Sequence, residues 1–534
     1  MRPICAVVIP CALLVGCGDD GMNSSGASTT GTAGSSGAGS TSSATGEPTT
    51  GGSATTTAPT STDGDTGAPV GCVVFVHGAT GDDGMSGASW ELAKRTVTAG
   101  LDEAEARALG GEGPCEVWVA AGTYRPAEAL DVAASFVLRK DIALYGGFVG
   151  GESSLDARDW AAHETILSGE FGDPSDPEDN VRHVVIGADG ARLDGFTVTG
   201  GHARGEPIQR TGGGVESGEG HLTIANCTIS GNRSGDGLDD EVGTVGGAAG
   251  VGAGVHVTAG SLTLLDSRIL DNRGGIGGAG TGLAGIGGVG GEGAGVAFMS
   301  GVDLVIRNTT FAGNRAGDGG PGDNIGGPGG SGAGLMIIGA AGDVRVEGAE
   351  FHDNISGAGG SSLNLGGGGG GGAMLVNGAT GETVIARSIF HDNVAGGGGS
   401  SAKQPGPAGS FGGMVLVANS GGAGAMTVAS SRFESNEADA AGGLAVPVSG
   451  AEPRAGRRRA DPGHADPSRA VRAGGRCRFR GLSAEGIHQF CHRLGRLSGA
   501  GVDRVRPMPD HAAGDSLRGV DGNPRQLFQH TGGA

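Results

Sequence analysis

The chain has 534 residues, of which 118 are glycine, with 4% aromatic residues, 17% charged residues and a formal net charge of −21. Glycine at about three times its usual share marks a protein of turns and short extended segments rather than of compact helices. A surface this acidic repels phosphate backbones, which excludes nucleic acid as a partner.

Taken in chain order, the first element is an address. Arg2 precedes a short apolar run from Ile4 to Leu14, which ends in Leu14-Val15-Gly16-Cys17. The run is far short of the roughly 20 residues a spanning helix needs. This leader resembles a bacterial lipoprotein signal with its lipobox. The resemblance implies that residues 1–17 are a signal, that Cys17 becomes the lipidated first residue of the mature chain, and that the protein is an outer-membrane lipoprotein or otherwise displayed at the cell surface. Cys5 and Cys11 leave with the leader. Residues 18–71 are almost wholly Ser, Thr, Gly, Ala, Asp and Pro, too poor in apolar groups to offset chain entropy, so they are expected to form a disordered tether with a reach on the order of 40 Å.

Residues 72–211 open the folded part. Cys72 stands before the strand-like VVFV and Cys115 before EVWVA. If these strands are parallel neighbours in register, the two cysteines come within disulfide range, and export permits the bond; two packed thiols are the alternative. Between them a helix is expected with Trp90, Leu92, Ala93, Val97 and Leu101 on one face, capping the first coil of an otherwise open stack. Strand-turn units follow to residue 211.

From 212 to 450 the chain repeats itself. The endings CTISGN, SRILDN, TTFAGN, AEFHDN, SIFHDN and SRFESN close on Asn232, Asn272, Asn314, Asn354, Asn393 and Asn436. Their spacing of roughly 40 residues is the mark of a stacked repeat. Each repeat opens with a glycine pair and an apolar strand, such as GAGVHV or GAGLMI, continues with a second alternating strand, such as VDLVIRN, and ends on the hexapeptide. Three short strands per unit describe one coil of a right-handed parallel β-helix, an all-β solenoid. Coils stacked about 4.8 Å apart place Ile229, Ile269, Phe311, Phe351, Phe390 and Phe433 in one apolar column. The six asparagines are expected to turn the corner in the left-handed conformation and to bond as an amide ladder. Cys227 is expected in the core. The glycine runs between each Asn and the next strand are expected as stacked surface loops at one corner, tolerated insertions with neither a phosphate-loop Gly-Lys-Ser/Thr nor tandem calcium nonapeptides.

GASW (87–90), WVAAGTYRP (118–126), LYGGF (144–148) and RDW…HETILSGE (158–170), together with the repeated GGA and FxxN motifs, resemble bacterial right-handed β-helix lipoproteins of the pectin-lyase-like superfamily and polymorphic outer membrane proteins. The resemblance covers about 72–450. It implies the fold, and leaves function open among lyases, hydrolases and adhesins.

Residues 451–534 break the pattern. They carry 15 Arg and no Lys, as a displaced reading frame of a GC-rich gene would; a genuine basic tail is the competing reading. For chemistry, a lyase on this fold would need a Lys or Arg base and clustered acids along one strand face. The three lysines, Lys94, Lys140 and Lys403, lie outside the repeat strands. The corner pair His352-Asp353 over His391-Asp392 is the one weak metal candidate. No catalytic constellation is read and no cofactor is implied. The expectation is a monomeric, non-enzymatic surface protein for adhesion or glycan contact, held to the membrane by its lipid; a polysaccharide-degrading enzyme on the same fold is the alternative.

Overall fold

The computed structural model describes residues 71–409, 412–417, 425–439 and 477–478. The signal with Cys17, the tether up to residue 70, the end of the repeat segment from 440 to 450, and the 451–534 segment apart from Cys477–Arg478 lie outside the described residues.

Each repeat folds as one coil of three short strands. In one of them these are Val255–Thr258, Ser261–Leu265 and Arg268–Leu270. Every strand pairs in parallel with its counterpart in the next coil, Val255 with Val296, Leu262 with Leu304, Ile269 with Phe311. The described residues therefore form an all-β, right-handed parallel β-solenoid whose first, second and third sheets, built from the first, second and third strand of each coil, hold eight, ten and ten strands. Cys477–Arg478 adds an antiparallel strand beside Arg432–Glu434.

The two-residue alternation within each strand sends one set of side chains inward. Phe311, Phe351 and Phe390 are fully buried. Their rings, with that of Phe433, stack at 4.5, 4.6 and 4.7 Å and within 5° of parallel. Burial of each such ring contributes roughly 1.5–3 kcal/mol. Cys227 is buried at the head of a column of small residues that continues through Ser267, Thr309, Ala349, Ser388 and Ser431.

The asparagines differ from expectation in one respect. The left-handed corner falls one residue earlier, on Gly231, Asp271, Gly313, Asp353, Asp392 and Ser435, with φ between 49° and 67°. The Asn that follows turns its side chain into the solenoid, and Asn232, Asn272, Asn314, Asn354 and Asn393 are fully buried. A short Asp, Ser or Gly meets the conformational demand at the exposed corner, which leaves the Asn amide free to bond along the stack. The Oδ1 of Asn314 accepts from both the backbone N–H (3.1 Å) and the Nδ2 (3.0 Å) of Asn272. Its own Nδ2 donates to Ile269 O at 2.8 Å and to Asn354 Oδ1 at 3.0 Å. Every bonding position of the buried amide is thereby used.

The glycine runs do stack at one corner, but they are hydrogen-bonded arms rather than loops. In the run 273–294 the outgoing arm reads Arg273-Gly-Gly-Ile276-Gly-Gly-Ala279-Gly280, and the returning arm reads Ile286-Gly-Gly-Val289-Gly-Gly-Glu292-Gly-Ala294. The first glycine of each triplet donates to the free position of the next coil: Gly274 to Arg315 O, Gly277 to Asp318 O, Gly287 to Ile325 O, Gly290 to Pro328 O, all within 2.8–3.0 Å. The second glycine ties the arms together: Gly288 donates to Gly278 O, Gly320 to Gly288 O, Gly327 to Gly320 O. A bonding period of three is that of the extended left-handed helix of polyproline type, here built from glycine and packed side by side. A Cβ on the second glycine, as at Gly367, would enter the shell of a neighbouring carbonyl, that of Gly327. At the third position, as at Gly368, a Cβ would meet nothing nearer than Pro407 Cγ at 3.6 Å. The sequence reading as tolerated insertions fails because two of every three positions have no room for a side chain.

At the other end of the sheets, helix Val97–Arg107 packs on the first strands, Cys72–Val76 and Cys115–Ala120, with Val97, Leu101 and Ala104 buried. The helix is shorter than the sequence suggests. Trp90–Leu92 is a separate 3-10 turn, because Asp83 accepts from the N–H groups of Arg95 and Thr96 and holds the link extended. Leu92 is exposed, while Trp90 packs against Phe75 and Phe148. Thr96 then N-caps the helix through Ala99 N.

Candidate functional site

Side chains on the outer faces of the sheets form ladders, one rung per coil, so the candidate sites are stacks. On the third sheet Glu350–His352 lies in register beside Ile389–His391. The imidazoles of His352 and His391 stack at 5.1 Å and within 8° of parallel. Each Nδ1 bonds the carboxylate of the next residue, Asp353 or Asp392, at 2.8 Å, and His391 Nε2 reaches Glu350 Oε1 at 3.2 Å. Partial burial pulls the His391 pKa down, but the carboxylates of Asp392 and Glu350 outweigh it and hold the ring above its ordinary value. The four residues expected as a weak metal candidate thus come together, as two His-Asp pairs. Among the described residues no group of three or more His, Cys, Asp or Glu is placed to hold a metal ion.

The second sheet carries a charge ladder that the sequence reading missed. Arg387 Nη2 donates to Glu347 Oε2 at 2.9 Å, with Arg307 on the far side of the same carboxylate at 3.9 Å. Arg345 bridges Asp343 and Glu382. The signal was available in the spacing: Arg307 and Glu347 stand at the same register position of successive coils.

Two further clusters involve chemistry-bearing groups. Arg158 and Arg192 both bond the buried Asp194, at 2.7 and 2.6 Å, and the Arg158 guanidinium lies over the Tyr145 ring at 5.0 Å. Arg158 also donates to the carbonyls of Gly146 and Asp194. Its donors are spent on fixing the segment that covers the first coils, so this arginine is a structural tie rather than a base. On the first sheet, Glu216 bonds His256 Nδ1 at 2.9 Å, and His256 Nε2 lies 3.2 Å from the hydroxyl of Thr258. His256 is buried and Thr258 exposed, which makes a short relay from carboxylate to hydroxyl.

Of the remaining residues, Cys72 and Cys115 face each other in register and their sulfurs are bonded. The free thiol of Cys227 is pushed up to about 12 by burial, which makes it inert. Lys94 pairs with Glu103 and Lys140 with Asp189, while Lys403 is exposed on the last glycine run. No helix among the described residues is long and apolar enough to cross a membrane.

No family model matches the chain, and no curated protein matches it. Two solved structures are similar over part of it. A surface adhesin of Streptococcus pneumoniae is 11% identical over 63% of this chain and 87% of the adhesin, with a TM-score of 0.18. The A-module of a mannuronan C-5 epimerase of Azotobacter vinelandii is 12% identical over 62% of this chain and 96% of the module, with a TM-score of 0.14. At these scores neither likeness bears on what this chain binds or does.

Proposed function

We propose that the chain is a non-enzymatic, exported surface protein of the pectin-lyase-like superfamily, anchored by a lipid on Cys17, whose solenoid makes adhesive or glycan contacts. The observation that carries this reading is the pairing of charges across coils: Arg387 with Glu347, Arg345 with Glu382, His391 with Glu350. Groups engaged with one another make a polar surface where these two coils meet. Such a surface suits weak polar contacts to a glycan better than it suits proton abstraction, which needs a poised, unengaged base. The lipobox-like leader and the polar tether supply the anchor and the reach. Membrane, glycans or other cells are then its partners, nucleic acid is not, and the protein acts as a monomer. Binding to arrayed glycans without new unsaturated product from uronate polymers is the expected outcome; appearance of that product would overturn the reading. Replacing Cys17 by Ser should release the chain from membranes, and unchanged membrane retention would remove the lipid anchor from it.

A second reading, an enzyme on the same fold, is favoured by the Glu216–His256–Thr258 relay alone. Turnover of ester or glycan substrates lost in Thr258→Val and Glu216→Gln would support it.

A further inference from the structure

We propose that the returning arms of the glycine array are closed to a second copy of this chain at both edges, by donor and acceptor bookkeeping written into particular residues. Inside the array, the first glycine of each triplet donates its N–H to the free-position carbonyl of the following coil. An array built this way has a polar direction. Its first layer leaves carbonyls without donors, and its last layer leaves N–H groups without acceptors. Both edges would invite another chain's arm, as an exposed strand edge does.

At the first edge, the returning arm of run 233–253 has free-position carbonyls at Val245, Ala248 and Val251. Val251 O keeps the regular bond of its file, and the other two are filled from outside the lattice pattern. Val242 N donates to Val245 O at 3.1 Å, and Gly212 N to Val251 O at 3.2 Å. Arg210 Nη1 reaches Ala248 O at 3.3 Å. Arg210 is buried to 2% exposure, and its guanidinium is fixed by two bonds to Glu241 at 2.9 and 3.0 Å and by one to Gly205 O at 2.9 Å. A buried arginine with every direction engaged at the array's first layer takes the place of a missing layer of donors.

At the last edge the device is subtraction. Down the returning arms the donating position runs Gly246, Gly287, Gly326, Gly366, bonding Ile286, Ile325, Leu365 and Gln404 in turn. The next residue in that file is Pro405, which has no N–H to give. Prolines elsewhere in the array, Pro321, Pro328 and Pro407, stand only at free positions, where they serve as acceptors. Pro405 alone occupies a donor position, and it does so in the layer beyond which no further glycine run follows in the sequence. The parallel donor file through Gly290, Gly329 and Gly369 ends on Ala408. Its methyl projects where, on Gly369, a Cβ would strike the carbonyl of the next coil's Gly396.

The test is sedimentation of the full chain over a range of concentrations. The wild type and Pro407→Gly, altered at a free position, should sediment alike. Pro405→Gly combined with Ala408→Gly should associate more strongly, by about tenfold or more. Pro405→Ala restores the N–H with little added flexibility and should move the same way, which covers the case in which the double glycine variant does not fold. Identical sedimentation of Pro405→Ala, circular dichroism unchanged, would overturn the proposal, as would self-association of the wild type that Arg210→Met leaves untouched.

Discussion

A buried amide oxygen that serves two donors per coil sets the cost of losing an asparagine. Asn314→Ala would leave the N–H and Nδ2 of Asn272 without their acceptor, in a site with no solvent exposure. The expected loss is roughly 3 kcal/mol by urea denaturation, against about 1 kcal/mol for Asn308→Ala, which is exposed but held in the left-handed conformation. Histidine adds a pH dependence of known sign. The folded pKa of His391 is raised above its unfolded value near 6.5, so its contribution is fully present below that value and is lost as pH rises through the folded pKa. The urea midpoint should therefore fall between pH 6 and pH 9 in the wild type. His391→Gln should flatten that fall, and an equal slope in both proteins would assign it to other groups. The residue that could be read directly was Phe, whose column follows from spacing alone. The left-handed corner could not, since Asp, Ser and Gly share it and only backbone angles single them out.

At the scale of the element, the glycine arm is the feature whose behaviour departs most from that of a surface loop. Its triplet grammar predicts a period-three response to substitution. Gly367→Ala forces a methyl into the Gly327 carbonyl and should cost about 3 kcal/mol or more, comparable to overpacking a core. Gly368→Ala, one residue on, should be neutral or stabilise by about 0.5 kcal/mol, because it removes unfolded-state freedom at a position with room. Equal effects of the two, measured as shifts in urea midpoint, would show that the arms are loose in solution. Arg210→Ala should cost roughly 3 kcal/mol, since it strands Glu241 as well as the Ala248 carbonyl. The capping helix teaches a complementary lesson. Its apolar spacing was legible, but its start was not, because Asp83, a residue outside the periodic stretch, decides where the extended link ends.

For the whole molecule, stability in a solenoid is a sum over coils and the interfaces between them, so substitutions at one coil should unfold neighbours before distant ones. Hydrogen exchange in Asn314→Ala should show lost protection over the coils holding Asn272, Asn314 and Asn354 first, with the helix Val97–Arg107 least affected. Uniform loss across all coils would mean a single cooperative unit. The amino-acid sequence by itself determined the repeat, the three strands of each coil, the inward columns and the corner at which glycine gathers, because each of these is a period along one chain. Only the tertiary structure decided which charges meet, where the relay of Glu216, His256 and Thr258 forms, and that the glycine runs are bonded arms. Those depend on partners some 40 residues apart being brought into register, and a one-dimensional pattern states which residue types recur without stating which atoms face each other.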